Sequence, residues 1–246
     1  MHVSVVYILI FLSSYAFGSI PFSWIITKIK TGEDLRKIGS GNVGGRNVYR
    51  ATESKFWAFL AGILDVSRSL IAVIVPYFLT KNLYFAAIDT PIQMFIWTDV
   101  QLLTGFALTI AGIGSILGHN WSIYLLSHAG RGITVVIGSM LFANPMLLLF
   151  WAVLWPFVIT IVGYSAITYI VVTLLVGVIA LFIPPAILMP WAPHNLGLAL
   201  LFFGIAIIMV TRQRDNFRKI RTGEAKKMNI LKALFGKGKL SEEALK

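Results

Sequence analysis

Residues 39–50 read Gly39-Ser40-Gly41-Asn42-Val43-Gly44-Gly45-Arg46-Asn47-Val48-Tyr49-Arg50, with four glycines in the first seven positions. Glycine admits positive φ angles, and successive N–H groups in such turns form concave nests that hold an anion. Ser40, Asn42 and Asn47 add neutral hydrogen-bonding groups. Arg46 and Arg50 add permanent cations whose planar forks match phosphate oxygens. The chemistry on offer is recognition of a phosphorylated substrate. A basic cytoplasmic loop obeying the charge bias of membrane proteins would carry the same cations, so both readings stand on the loop alone. Residues 39–44 formally match GxGxxG, but a dinucleotide site needs a strand before it and a βαβ unit around it, and here an apolar span precedes.

Two further polar stretches suit the same kind of ligand. Ala129-Gly130-Arg131-Gly132 is a tight turn around a lone cation, the only Lys or Arg between Lys81 and Arg212. Arg212, Gln213, Arg214, Asp215 and Asn216 follow the last apolar stretch, where they can reach the same anion. One more positive-inside residue and a basic stop signal are the plain alternatives. His119 and His128 are nine apart and have no acidic or third His partner nearby, so no metal ligand set is expected, and no cofactor either.

The elements that must position these residues are membrane spans. The chain of 246 residues is 57% hydrophobic, with a mean hydropathy of +0.82 and only 13% charged residues, about half the usual share of a soluble domain. There is no cysteine, hence no disulfide or thiolate chemistry. The net charge of +11 invites a nucleic-acid reading, but seven Lys/Arg fall within 28–55 and eleven lie from Arg212 onward. That is the pattern of loops kept on the cytoplasmic side beside anionic lipid, and no nucleic-acid partner is expected.

Residues 3–27 carry no charge and suffice to cross a core of about 30 Å, with a kink at Pro21. They lack the basic start and cleavage site of a signal peptide. The first cations follow this span, which places the N-terminus outside. Residues 56–79 form a second span, running outward. It contains Asp65 and Arg68 on one helical face, either a structural ion pair or a support for the glycine-rich loop, a supporting role being favoured over direct chemistry. Residues 80–93 read as an outer connection and 97–116 as a third span. Residues 133–211 contain no Asp, Glu, Lys or Arg, and breaks at Asn144-Pro145, at 163–165 and at 184–193 divide them into about four spans. The expectation is an all-α polytopic bundle of about seven transmembrane helices over 1–211, N-terminus outside and C-terminus cytoplasmic. Its motif loops are 28–55 and 118–132, and a basic tail covers 212–246. In the tail, Met228, Leu231, Leu234 and Phe235 recur at helical spacing among lysines, as in a helix lying on a lipid surface.

With three cytoplasmic polar motifs in this order, the chain resembles the bacterial acyl-phosphate:glycerol-3-phosphate acyltransferase family. The resemblance begins at Gly18-Ser19-Ile20-Pro21-Phe22 and is strongest at 39–44 with Asn47-Val48-Tyr49-Arg50. It returns at Gly118-His119-Asn120, at 129–134 and at 212–216, and so extends to about Glu224. It implies seven spans and transfer of a fatty acyl group from acyl phosphate to glycerol 3-phosphate, giving lysophosphatidic acid and phosphate, without acyl-CoA or metal. By position it implies catalytic roles for Ser40, Arg50, Arg131 and Asn216. The motifs and the resemblance together point to substrate contacts from Gly39, Gly41, Asn42, Gly44, Arg46, Asn47, Gly130, Gly132, Ser165, Arg212 and Gln213, with Asp65 and Arg68 as a supporting pair. Five departures stand out. Gln213 replaces a family His, Gly45-Arg46 replaces Ala-Thr, Arg68 and Arg131 replace lysines, and Gly163-Tyr164-Ser165 resembles a family Arg-Tyr…Ser segment without its Arg.

An acyl phosphate is already activated, so the work is positioning a hydroxyl on the acyl carbon and neutralising two phosphates. No Asp, Glu or His in the motifs is a convincing general base, and the substrate's own phosphate can take the proton. Three rival readings are an acyl-CoA-dependent acyltransferase, a related enzyme with another acceptor or donor, and an anion or lipid-phosphate transporter. The first expects His-x-x-x-x-Asp, which none of the four histidines provides. The transporter expects polar residues through the spans, against the uncharged stretch 133–211.

Overall fold

The computed structural model describes residues 3–88, 100–128, 130–183 and 195–228. Ten α-helices are present among them: α1 Val3–Gly18, α2 Phe22–Thr31, α3 Gly45–Thr52, α4 Lys55–Ile88, α5 Val100–Asn120, α6 Ile133–Ala143, α7 Pro145–Val162, α8 Ser165–Phe182, α9 Asn195–Arg212 and α10 Arg214–Arg221. A 3-10 turn at Leu35–Lys37 and two paired two-residue strands, β1 Trp121–Ser122 and β2 Ser127–His128, complete the list.

The helix boundaries follow backbone chemistry. Pro21 cannot donate to the preceding turn, so the expected kink is a full break between α1 and α2. Asn144 ends α6 and caps α7, its Oδ1 accepting from the N–H groups of Met146 and Leu147 at 3.0 and 3.2 Å, with Pro145 at the first helical position. Gly163, at φ 76°, ends α7 in the left-handed conformation. The breaks at 144–145 and 163–165 thus fall where expected, and the described residues of 133–211 hold four helices. The third break, the start of the span expected at 97–116, and the tail beyond Met228 lie outside the described residues.

Two expectations are corrected, and one loop gains a detail. The connection expected from Thr80 is still helix, since α4 runs to Ile88 through Pro76. Gly118, His119 and Asn120 belong to the end of α5 and not to a loop. The segment after them folds as a short hairpin, Trp121 opposite His128 and Ser122 opposite Ser127, a local detail in an otherwise all-helical fold as expected.

Among the described residues, five segments are long and apolar enough to cross a membrane: Ser4–Thr31, Lys55–Asn82, Pro145–Val162, Ser165–Phe182 and Asn195–Arg212. Their outward faces are as apolar as their inward ones: Ile8, Phe157 and Ile207 are each more than half exposed, the signature of lipid contact. Two packed regions matter for the site. The main core joins α4 to α9 around Leu108, Met140, Leu147 and Phe202. A smaller cluster of Ile26, Leu35, Val43, Val48, Ala61 and Leu125 lies under the 32–52 segment and fixes it against α2, α4 and the hairpin.

Candidate active site

The glycine-rich turn is built around Asn47. Its side chain is buried, and its Nδ2 donates to the carbonyls of Leu35 and Ile38 at 3.1 and 2.7 Å. Both amide hydrogens therefore close the loop on itself, and none is left for a ligand. Gly39 and Gly41 take φ of 52° and 67°. A Cβ on Gly39 would lie 2.7 Å from Asn47 Oδ1, so the turn needs glycine on both counts. Asp34 anchors the approach, accepting from Trp24 Nε1 at 2.9 Å and from Arg36 Nε at 2.9 Å. Arg36 in turn donates to the Leu125 carbonyl at 3.0 Å, tying the loop to the hairpin.

Two adjoining clefts result. The larger, about 550 Å³, is lined by Gly41, Arg212, Asp215 and Asn216. The smaller, about 360 Å³, is lined by Arg46, Asn47, Arg50, Asp65 and Ser165, among others. Ser40, Asn42 and Arg131 line both and form the wall between them. The smaller cleft also meets the starts of three helices: Gly44 to Asn47 at α3, Gly132 to Thr134 at α6 and Ser165 at α8. Helix N-termini present unsatisfied N–H groups and a positive dipole end, so three of them on one cleft favour an anion strongly.

The cations are poorly neutralised by protein. The three ion pairs among the described residues are Arg36–Asp34, Arg68–Asp65 and Arg218–Asp215, and none includes Arg46, Arg131 or Arg212. Burial pulls the Arg131 guanidinium below its ordinary value, and Arg46 and Arg50 add to that, with Asp215 opposing. Asn42 Oδ1 and Arg212 Nε are buried without a hydrogen-bond partner.

Behind the smaller cleft lies a buried network. Arg68 pairs with Asp65 at 3.1 Å, donates to the Ile20 carbonyl at the α1–α2 break, and meets His119 Nδ1 at 2.5 Å. Ser23 Oγ donates to the other Asp65 oxygen at 3.2 Å. Arginine has no acceptor, so His119 Nδ1 carries the lone pair and the imidazole offers only Nε2–H. Asp65 and His119 both line the cleft, yet each is engaged from behind, which leaves neither as a general base. Asp65 and Arg68 thus form the expected pair, with the cleft in front of them.

Three expected contacts sit one layer back, as does Arg68 of the supporting pair. Gly39 packs on Asn47 and Arg50. Gly130 packs on His119, where a Cβ would overlap the imidazole. Gln213 is buried, and its Oε1 accepts from Asn216 Nδ2, so it orients Asn216 and does not line the cleft. Arg68 faces the interior. Sequence reasoning missed Trp155, Tyr169 and Met228, which line the smaller cleft from α7, α8 and the tail. Nothing in the type or spacing of Trp155 and Tyr169 marked them, and Met228 stood out only as part of an amphipathic tail.

A profile described as "Glycerol-3-phosphate acyltransferase" matches residues 8–223. The chain belongs to the glycerol-3-phosphate acyltransferase family. The family's enzyme from Thermosipho melanesiensis is 29% identical over 228 residues, which cover 92% of this chain and 94% of that one. The one from Staphylococcus aureus (strain JH9) is 29% identical over 221 residues, covering 90% and 97%. Among solved structures, PlsY (YgiH), an integral membrane glycerol 3-phosphate acyltransferase in its glycerol 3-phosphate form, is similar at 25% identity. Its TM-score is 0.64, and 93% of this chain and 98% of that chain are covered. The fold of the family therefore accounts for nearly all of the chain, and the two clefts lie within the matched region except for Met228.

Proposed function

We propose that this chain transfers a fatty acyl group from acyl phosphate to glycerol 3-phosphate at the cytoplasmic face of the cell membrane, releasing lysophosphatidic acid and inorganic phosphate. The observation that carries this reading is the pair of clefts joined at Ser40, Asn42 and Arg131. Two phosphorylated reactants need two anion sites with one wall in common. Arg50 and Arg131 bind phosphates. Ser40, Asn42 and Asn216 hold the reactants in register. The acceptor hydroxyl attacks the acyl carbon, the bond from that carbon to the phosphate oxygen breaks, and the hydroxyl proton passes to the departing phosphate. Proximity and charge neutralisation supply the acceleration, and no protein base is required.

The bundle crosses the membrane seven times in this reading, α5 and the short apolar α6 joining the five longer segments. The N-terminus is then outside, with the motif loops and the basic tail inside. Purified protein supplied with glycerol 3-phosphate should form lysophosphatidic acid with acyl phosphate and not with acyl-CoA. Equal rates with acyl-CoA would refute the donor, and turnover by Arg131→Ala near the parent rate would refute the site.

A further inference from the structure

Two tryptophans one helical turn apart on α7 behave differently. Trp151 Nε1 donates to Thr173 Oγ1 at 3.2 Å, a satisfied buried donor. Trp155 Nε1 is equally removed from solvent, has no hydrogen-bond partner among the described residues, and belongs to the wall of the smaller cleft. A buried N–H left unpaired is costly, so a protein that keeps one at a cleft wall has a use for it. The indole is also held rigidly. Tyr169, from α8, packs on it at 5.6 Å between ring centroids and stacks on Trp151 at 5.8 Å. A rigidly held donor in a cleft wall is preorganised for charge that develops beside it.

The chemistry of the cleft says which atom it serves. Arg50, Arg131 and the three helix starts take up a phosphate. Trp155 lies seven residues before the end of α7, about 10 Å up a helix without a charged residue. It is a neutral donor on an apolar body, placed where the cationic mouth gives way to apolar wall. An acyl phosphate has the same order of parts: dianion, then a neutral carbonyl, then hydrocarbon. We propose that Trp155 Nε1–H receives the carbonyl oxygen of the acyl phosphate and is a further catalytic residue, an inference that rests on the acyl-phosphate reading above. As the acceptor oxygen bonds to the acyl carbon, the carbonyl π pair moves onto this oxygen and the indole N–H stabilises it. The pair returns as the bond to phosphate breaks, and phosphate carries off the hydroxyl proton.

The test uses the full-length protein and Trp155→Phe, which keeps the ring and removes the N–H. Two donor analogues separate carbonyl from phosphate: a long-chain 2-oxoalkyl phosphonate and an alkyl phosphate of equal length. The variant should lose about 100-fold in kcat, keep its KM for glycerol 3-phosphate, and bind the oxo analogue several-fold more weakly while binding alkyl phosphate unchanged. Equal weakening for both analogues, or for neither, overturns the assignment. If the variant does not fold, indole N–H spectra of the parent protein carry the same comparison: one resonance should move with the oxo analogue and not with alkyl phosphate, and no such movement refutes it. A parent protein that ignores acyl phosphate altogether would instead sink the underlying reading.

Discussion

At the scale of single residues, Arg131 is held against its own electrostatics. It is partly buried, and Arg46 and Arg50 push in the same unfavourable direction as burial does. Its folded-state pKa lies below the unfolded one, so at neutral pH its charge costs stability in the ligand-free protein, and an anion offsets that cost. Arg131→Met should therefore lose at least about 100-fold in activity while melting no lower than the parent. Inorganic phosphate should raise the melting temperature of the parent and not of the variant. A lower melting temperature without phosphate would show that Arg131 is structural. This cation was legible in the sequence because a lone Arg between glycines in an apolar chain is conspicuous. Asn47 was legible only as a polar group. Its true work, closing the loop onto Leu35 and Ile38, depends on carbonyls nine and twelve residues away that no local pattern reveals.

At the scale of elements, the site depends on how closely α5 approaches α1. A Cβ on Gly118 would lie 2.2 Å from the Tyr15 carbonyl oxygen and 2.9 Å from the Gly18 carbonyl carbon, both backbone atoms that cannot step aside. Gly118→Ala should push the end of α5 away, cost about 1–3 kcal/mol, and disturb His119 and Arg68 at the α1–α2 break. Thermal melting and turnover should fall together, and a variant that keeps both would disprove the close contact. The loop-to-hairpin tie makes a pH prediction. Arg36 holds the Asp34 carboxyl well below the ordinary carboxylate range, with burial opposing. A depressed carboxylate stabilises above its unfolded pKa of about 3.9 and loses that contribution as pH falls toward the folded value. The difference in melting temperature between the parent and Asp34→Asn should stay constant from about pH 9 to 5 and narrow only below about pH 4. A gap that closes near neutrality would point elsewhere. Helix breaks were readable because Pro, Gly and Asn act locally. The hairpin at 121–128 was not, because it is held by Arg36 and the Ser19 carbonyl, contacts distant in sequence.

At the scale of the molecule, a helical protein that crosses the membrane several times was legible, since apolar composition is set by transfer of side chains between water and lipid. What closes the site over was not. After α10 the chain turns back: Ala225 N–H donates to the Lys219 carbonyl at 3.0 Å, and Met228 N–H donates to the Gly163 carbonyl at 2.8 Å. Lys227 lies 5.8 Å above the Tyr164 ring. This strap crosses the α7–α8 turn and puts the Met228 side chain in the wall of the smaller cleft, beyond the end of the family match at residue 223. The helices of the bundle end before it, so a protein stopped after Gly223 should fold and melt within about 2 °C of the parent, less than about 1 kcal/mol for a chain of this size. Its smaller cleft loses one side. The KM for acyl phosphate should rise several-fold while the KM for glycerol 3-phosphate holds, and Met228→Ala alone should reproduce most of the change. A truncated protein with both constants intact would show that the strap rests on the site without shaping it. One with both raised equally would place its effect on the bundle as a whole.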